Sequence, residues 1–175
     1  MFGVRRRRGT LELPAEEAQF EMLSSARDYL KQHGYIHYEL LNYAKPGFES
    51  RHNCLYWANA ETLGLGPGAY SYFDGRRFRH SASYEQYLDK ISHEDWSAFE
   101  EEFLDKDKKE IESFLLALRL TEGVNLASFG AVVKKFKQEI SELSEKGLLI
   151  QEKEKLRLSA KGQFLAESVF SDLSL

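Results

Sequence analysis

Cysteine is nearly absent from this chain: Cys54 is the only one in 175 residues. A single thiol cannot close an internal disulfide. Nor can it alone hold a zinc ion or an iron–sulfur cluster, each of which takes several ligands. Long apolar runs are missing too. No stretch approaches the roughly 18 residues of a spanning helix, so no transmembrane segment is expected. The basic run of Arg5, Arg6, Arg7 and Arg8 is followed by no apolar h-region, so it is not a secretory signal. So short a run reads as a solvated chain end. Without an export signal, the cytoplasm is the expected location. Positive charge is not in excess, since 24 Lys and Arg face 28 Asp and Glu, a net charge of -4. That leaves no global electrostatic reason to bind nucleic acid or an anionic membrane.

What is present is core-forming material. Hydrophobic residues make up 42% and aromatic residues 13%, which excludes a disordered chain. Residues 14–32 read as a helix with Met22, Leu23, Ala26, Tyr29 and Leu30 on one face. Pro14, Glu16 and Glu17 suit its first turn, and Gly34 its stop. Residues 35–43 alternate as a strand. Pro46-Gly47 signals a turn, and Asp74-Gly75 a hairpin before Arg76, Arg77 and Phe78. Between them, three glycines and Pro67 interrupt residues 63–72. Residues 84–91 read as a short helix. Composition then turns acidic, and residues 93–106 are expected to link two units.

The second unit reads as mostly helical. Asp107 and Glu110 form a capping-box pair for a helix whose stripe is Ile111, Phe114, Leu115 and Leu118. Asn125 opens a short helix ending at Gly130. Residues 131–146 form a third helix, with Val133, Phe136, Ile140 and Leu143 on one face, ended by Gly147. Residues 148–150 and 156–158 are two short strands around a polar turn, and Ser159 caps a last helix. That order matches a winged helix. The expected fold class is α+β: a small mixed α/β unit over 1–95, an acidic linker over 93–106, and a winged-helix-like domain over 106–175.

Four phrases stand in register in the first unit: Gly34-Tyr35-Ile36-His37-Tyr38-Glu39, Asn42-Tyr43-Ala44, His52-Asn53-Cys54-Leu55-Tyr56-Trp57, and Gly64-Leu65-Gly66-Pro67-Gly68-Ala69. Their order and spacing resemble the oxygen-independent coproporphyrinogen III oxidase family of radical S-adenosylmethionine proteins, in the part that follows the catalytic barrel. The His-Asn-x-x-Tyr-Trp phrase is similar to the branch described as heme chaperones. The second unit resembles the family's carboxyl-terminal domain, down to Leu120-Thr121-Glu122-Gly123 and Leu156-Arg157-Leu158-Ser159-Ala160-Lys161-Gly162. The resemblance implies a parent with a 4Fe-4S cluster and S-adenosylmethionine, held by a barrel with a Cys-x-x-x-Cys-x-x-Cys motif. That motif is absent here, and the abrupt start reads as that of a fragment. No radical chemistry is expected from this chain alone. The implied partners are the N-terminal barrel, a tetrapyrrole or heme, and a heme-acceptor protein.

His52 is the leading site candidate. A neutral imidazole is a good axial ligand for heme iron, and Tyr56 and Trp57 can pack on a porphyrin face. The structural alternative has His52 and Asn53 bonding nearby backbone while Tyr56 and Trp57 fill the core. Cys54 is expected to be buried and inert. Gly64, Gly66, Gly68 and Ala69 read either as a backbone nest near cofactor and substrate, where the family places this region, or as a tight turn. Pro67 supplies no N–H, which weakens the nest. His37 and Glu39 are expected on one strand face, where either Glu39 orients His37 or a substrate pyrrole, or the face is simply exposed. Arg76, Arg77 and Arg79 either pair with porphyrin propionates or sit on a surface hairpin. A different class of function is also open, a winged-helix module binding DNA or a protein. Lys134, Lys135 and Lys137 favour it, and Glu139, Glu142 and Glu145 on the same helix oppose it.

Overall fold

The structure, a computed structural model, describes residues 9, 11 and 13–174. The arginine run at 5–8 lies outside them. Helix α1 is Glu16–Gln32, with Glu16 and Glu17 in its first turn and Lys31 in its last, both signs matched to the helix dipole. It starts two residues later than Pro14, and Gly34 takes its left-handed stop at φ 76°. The apolar face expected on it lies open, with Met22, Leu23 and Tyr29 all more than half exposed. Phe20 instead packs edge-on against Phe164, and Arg27 reaches Gln163.

The expected strand over 35–43 is not one strand. Strand β1, Ile36–His37, pairs antiparallel with β2, Tyr43–Ala44. The residues between leave that ladder for a different partner: Leu40 N–H donates to Arg119 O, Thr121 N–H to Tyr38 O, and Glu39 stands opposite Leu120. The alternation is real, but its backbone groups are satisfied by two separate segments, so the chain bends. Pro46-Gly47 forms its turn, closed from Phe48 N–H to Lys45 O, with Gly47 at φ 84°. The aromatic stretch after it is helical: α2, Arg51–Trp57, is capped by Ser50, whose hydroxyl accepts from Asn53 N–H.

Strands β3 (Tyr70–Phe73) and β4 (Arg76–Arg79) meet at Asp74-Gly75, both at positive φ as the hairpin signal requires. Helix α3 is Tyr84–Ser92. The acidic stretch expected to be a linker contains β5, Glu100–Phe103, which pairs with β4 and completes a sheet ordered β3-β4-β5. Arg79 faces Glu100 across this pair with two hydrogen bonds, and Arg76 bonds Glu101. The glutamates that suggested a solvated tether are the cross-strand partners of the hairpin arginines.

The second unit begins with α4, Lys106–Ala117, capped by Asp105 rather than Asp107, since it is Asp105 that accepts from Lys108 N–H. Then come β6 (Val124–Asn125), a 3₁₀ turn (Leu126–Phe129) capped by Asn125, α5 (Gly130–Lys135) and α6 (Lys137–Glu145). The single helix expected over 131–146 breaks at Phe136, which leaves helical backbone values at φ -99°, ψ 29° and is buried in the core. Strands β7 (Leu149–Glu152) and β8 (Lys155–Leu158) follow, then α7 (Ala160–Phe164) and α8 (Ala166–Asp172). The sheet order is β6-β8-β7, so β6 adds a third strand that apolar patterning did not reveal.

Burial is unequal between the units. Phe114, Leu118, Leu143, Leu156, Leu158, Val169 and Leu173 are each at most 2% exposed, and all lie in the second unit. Each such side chain stabilises by about 1.5–3 kcal/mol relative to exposure. The first unit buries little apolar surface and leaves Leu65, Phe48 and Leu41 more than three-quarters exposed.

Candidate functional site

Helix α2 sorts the residues of the His-Asn-x-x-Tyr-Trp phrase by face. His52 and Tyr56 are four residues apart and therefore neighbours on one side. Their rings meet edge-on, centroids 4.7 Å apart. Both are exposed, and among the described residues the His52 imidazole has no hydrogen-bond partner. Asn53 contributes its backbone N–H to the Ser50 cap. Cys54 is half-buried and free. Trp57 turns inward and is covered by Arg119, whose guanidinium lies 4.5 Å from the ring centroid and 5.6 Å from that of Phe170. Trp57 Nε1 and Arg119 Nε are both buried with no hydrogen-bond partner among the described residues.

The expected contents of the phrase are therefore divided. Trp57 packs inward, as the structural alternative has it. His52 bonds no backbone and Tyr56 fills no core. The imidazole is presented to solvent on a capped helix, with its ring edge steadied by a tyrosine.

His37 and Glu39 lie elsewhere. His37 lines a groove between α1 and α7 with Phe20, Leu23, Arg27 and Phe164. Its ring stacks on Tyr43 at 4.4 Å, and Nε2 lies 3.2 Å from Leu40 O, so that nitrogen carries the proton. Burial holds its pKa below the ordinary 6.5 and the Arg27 charge adds to this, while the Leu40 carbonyl and Glu39 act against it. Burial also raises the Tyr43 phenol. Glu39 is 1% exposed, and its Oε1 has no partner among the described residues. Leu40 O, not Glu39, hydrogen-bonds His37, so the expected orienting role is not what the geometry supports.

The glycine loop is shaped by close packing. A Cβ on Gly64 would stand 2.3 Å from Tyr70 O, and Gly66 lies at φ 104°, which side-chain-bearing residues rarely adopt. Three N–H groups of the expected nest donate internally: Gly64 to Ser71 Oγ, Gly68 to Ser81 O and Ala69 to Gly66 O. The tight turn is the reading this favours, and its tip carries Leu65, 90% exposed. The hairpin arginines are not free for propionates either: Arg76, Arg77 and Arg79 pair with Glu101, Glu112 and Glu100.

No group of three or more His, Cys, Asp or Glu is arranged to hold a metal ion among the described residues. The chain's one cysteine does not fit an iron–sulfur cluster, which takes at least three protein thiolates in this kind of protein. Sequence reasoning missed Arg119 and Leu120, which bring the second unit against α2 and Glu39. The available signal was a lone cation inside the apolar run Leu115-Leu116-Ala117-Leu118-Arg119-Leu120.

The architecture matches the solved coproporphyrinogen III oxidase (HemN) from Escherichia coli, described as a radical SAM enzyme. The TM-score is 0.72 over 93% of this chain and 42% of that one, at 15% identity, which establishes likeness of fold. Residues 104–165 match the HemN C-terminal domain family. The chain is also 34% identical over its whole length to a heme chaperone HemW of Lactococcus lactis and 30% identical over 93% of its length to that of Bacillus subtilis. Over 71% of its length it is 38% identical to that of Synechocystis. It spans 47%, 44% and 31% of those three proteins, about half their length or less. Residues 104–165 thus belong to the HemN C-terminal domain family, and along its length the chain is similar to proteins named heme chaperone HemW. The DNA-binding alternative finds no support among these relatives, and α5 and α6 follow their three lysines with three glutamates.

Proposed function

We propose that this chain is the heme-contacting part of a heme-trafficking protein and that His52 is an axial ligand to the heme iron. The observation that carries this is the exposed imidazole on α2, unbonded among the described residues and braced edge-on by Tyr56. A ligand imidazole must keep a nitrogen lone pair accessible, and a histidine bonded to nearby backbone does not. The names of the relatives point the same way. The partner that the family implies is an N-terminal barrel supplying the 4Fe-4S cluster and S-adenosylmethionine, with a heme-acceptor protein downstream and the cytoplasm as the location. Among the described residues, no helix is long and apolar enough to cross a membrane. The second unit is read as a winged helix, with β7 and β8 as the wing, used for docking protein rather than DNA.

Adding hemin to the chain tests the ligand. The wild type is expected to develop a shifted Soret band at a stoichiometry of one, and His52→Ala to lose it. A His52→Ala spectrum identical to that of the wild type would remove His52 from the role.

A further inference from the structure

Arg27 and Lys31 stand four residues apart on α1 and so share one face of it. That face borders a groove of about 430 Å³, closed on its other sides by β1, β2, β8 and α7. The volume falls within the roughly 300–1,000 Å³ typical of small-molecule sites. Arg157 of β8 is the third cation on its lining, and no Asp or Glu lines it among the described residues.

The three cations differ in what balances them. Arg157 bonds Glu152 at 2.8 Å. Arg27 reaches only the neutral amide of Gln163, at 3.5 Å. Lys31 has no carboxylate within ion-pair distance among the described residues. Beside burial, the main influence on the pKa values of His37 and Tyr43, the Arg27 charge pulls on both of these groove-lining rings. Two positive charges thus face the groove uncompensated. A carboxylate would balance one of them. A phosphomonoester, which carries about -1.5 to -2 at neutral pH, balances both and accepts bidentate bonds from a guanidinium.

The groove also has an apolar end. Arg27, His37, Tyr43 and Gln163 line a second stretch as well, which runs between α1 and α7 over Phe20, Leu23 and Phe164. Leu23 is 57% exposed there, so apolar surface is left for an occupant to cover. A cationic pocket opening onto an apolar trough suits a ligand with an anionic head and an apolar body.

We propose that this groove binds a soluble organic phosphomonoester, its phosphate held by Arg27, Lys31 and Arg157 and its apolar body laid on Phe20, Leu23 and Phe164. None of His52, Tyr56 and Trp57 lines the groove, so the site is independent of the heme reading.

The test is calorimetric titration of the chain with 1-naphthyl phosphate, with 1-naphthol as the uncharged control. The ester is expected to bind saturably at a stoichiometry of one, and naphthol to give no binding at the concentrations that saturate with the ester. Arg27→Gln and Lys31→Gln should each weaken the ester about tenfold, since each removes a charge-assisted contact. No residue of α1 is buried, so the far-UV circular dichroism of both variants is expected to match the wild type. Lys134→Gln, outside the groove, should bind as the wild type does. Bound phosphate would also offset the Arg27 charge, so the His37 pKa, followed by its ring NMR signals, is expected to rise on saturation. Absence of binding, equal binding of naphthol, or an unchanged affinity in folded Arg27→Gln and Lys31→Gln would overturn the proposal. So would an unmoved His37 pKa, or a loss in Lys134→Gln as large as in Lys31→Gln, which would mean general charge attraction. Binding to phosphatidic acid vesicles without binding of the soluble ester would overturn it in favour of a lipid surface.

Discussion

The fold displaces the pKa of His37 downward, with burial as the main cause. The sign of its effect on stability follows from linkage. The folded state disfavours the imidazolium, so the unfolded chain, titrating near 6.5, takes the proton first as pH falls. The stabilisation is complete above that value and is lost as pH falls from it through the lower folded value. Melting temperature is therefore expected to drop as pH falls below about 6.5, and His37→Gln to flatten the slope there. An unchanged slope would show that other groups govern it. Glu39 gives a prediction of opposite character. A buried carboxylate oxygen without a partner costs about 1–3 kcal/mol. Glu39→Met, similar in volume and apolar, is thus expected to raise the stability of this chain by about 1 kcal/mol in urea unfolding. A destabilised variant would show that the carboxylate has a partner in solution.

Among the elements, those set by local chemistry were legible and those set by pairing across the chain were not. Asp74-Gly75 marks its hairpin, Gly147 and Gly34 end their helices, and Ser159 caps α7, because each depends on a side chain or a φ angle within a few residues. Ser159 accepts from Gly162 N–H at 2.9 Å and donates to Gly147 O at 2.6 Å. Ser159→Ala is expected to cost about 1 kcal/mol in denaturant unfolding, since it removes a cap and the hydrogen bond to the Gly147 carbonyl. Strand β5 was misread because an acidic tetrapeptide carries no apolar alternation. Its membership in the sheet is decided by arginines more than twenty residues earlier. The split of β1 from the bridge at Glu39 was illegible for the same reason, as residues 119–121 complete it. The candidate site divides likewise. His52 and Tyr56 stood out as one phrase, but that the phrase is helical was not legible, and Tyr70 and Tyr72 come near it only through the sheet.

At the scale of the molecule, the uneven core sets what is firm and what can yield. The second unit holds the contiguous cluster around Phe114, Leu118, Leu156 and Val169, whereas no residue of α1 or α2 is buried. Amide exchange is expected to be slowest in α4, β8 and α8 and much faster in α1 and α2, since protection follows local burial and contact density. Beside Arg77–Glu112 and Asn59–Ser113, Arg119 is one side-chain link between the two. Its guanidinium lies between Trp57 of α2 and Phe170 of α8, and its carbonyl accepts from Leu40 N–H. A desolvated cation–π contact of this kind contributes about 2 kcal/mol. Arg119→Ala is expected to shift Trp57 emission to the red in a Trp96→Phe background and to speed exchange in α2 while α4 and β8 keep their protection. That result would mean that the helix presenting His52 is positioned by the second unit without being part of its core. Equal loss of protection in α2, α4 and β8 would instead show one cooperative unit, with Arg119 a part of its core rather than a link between two.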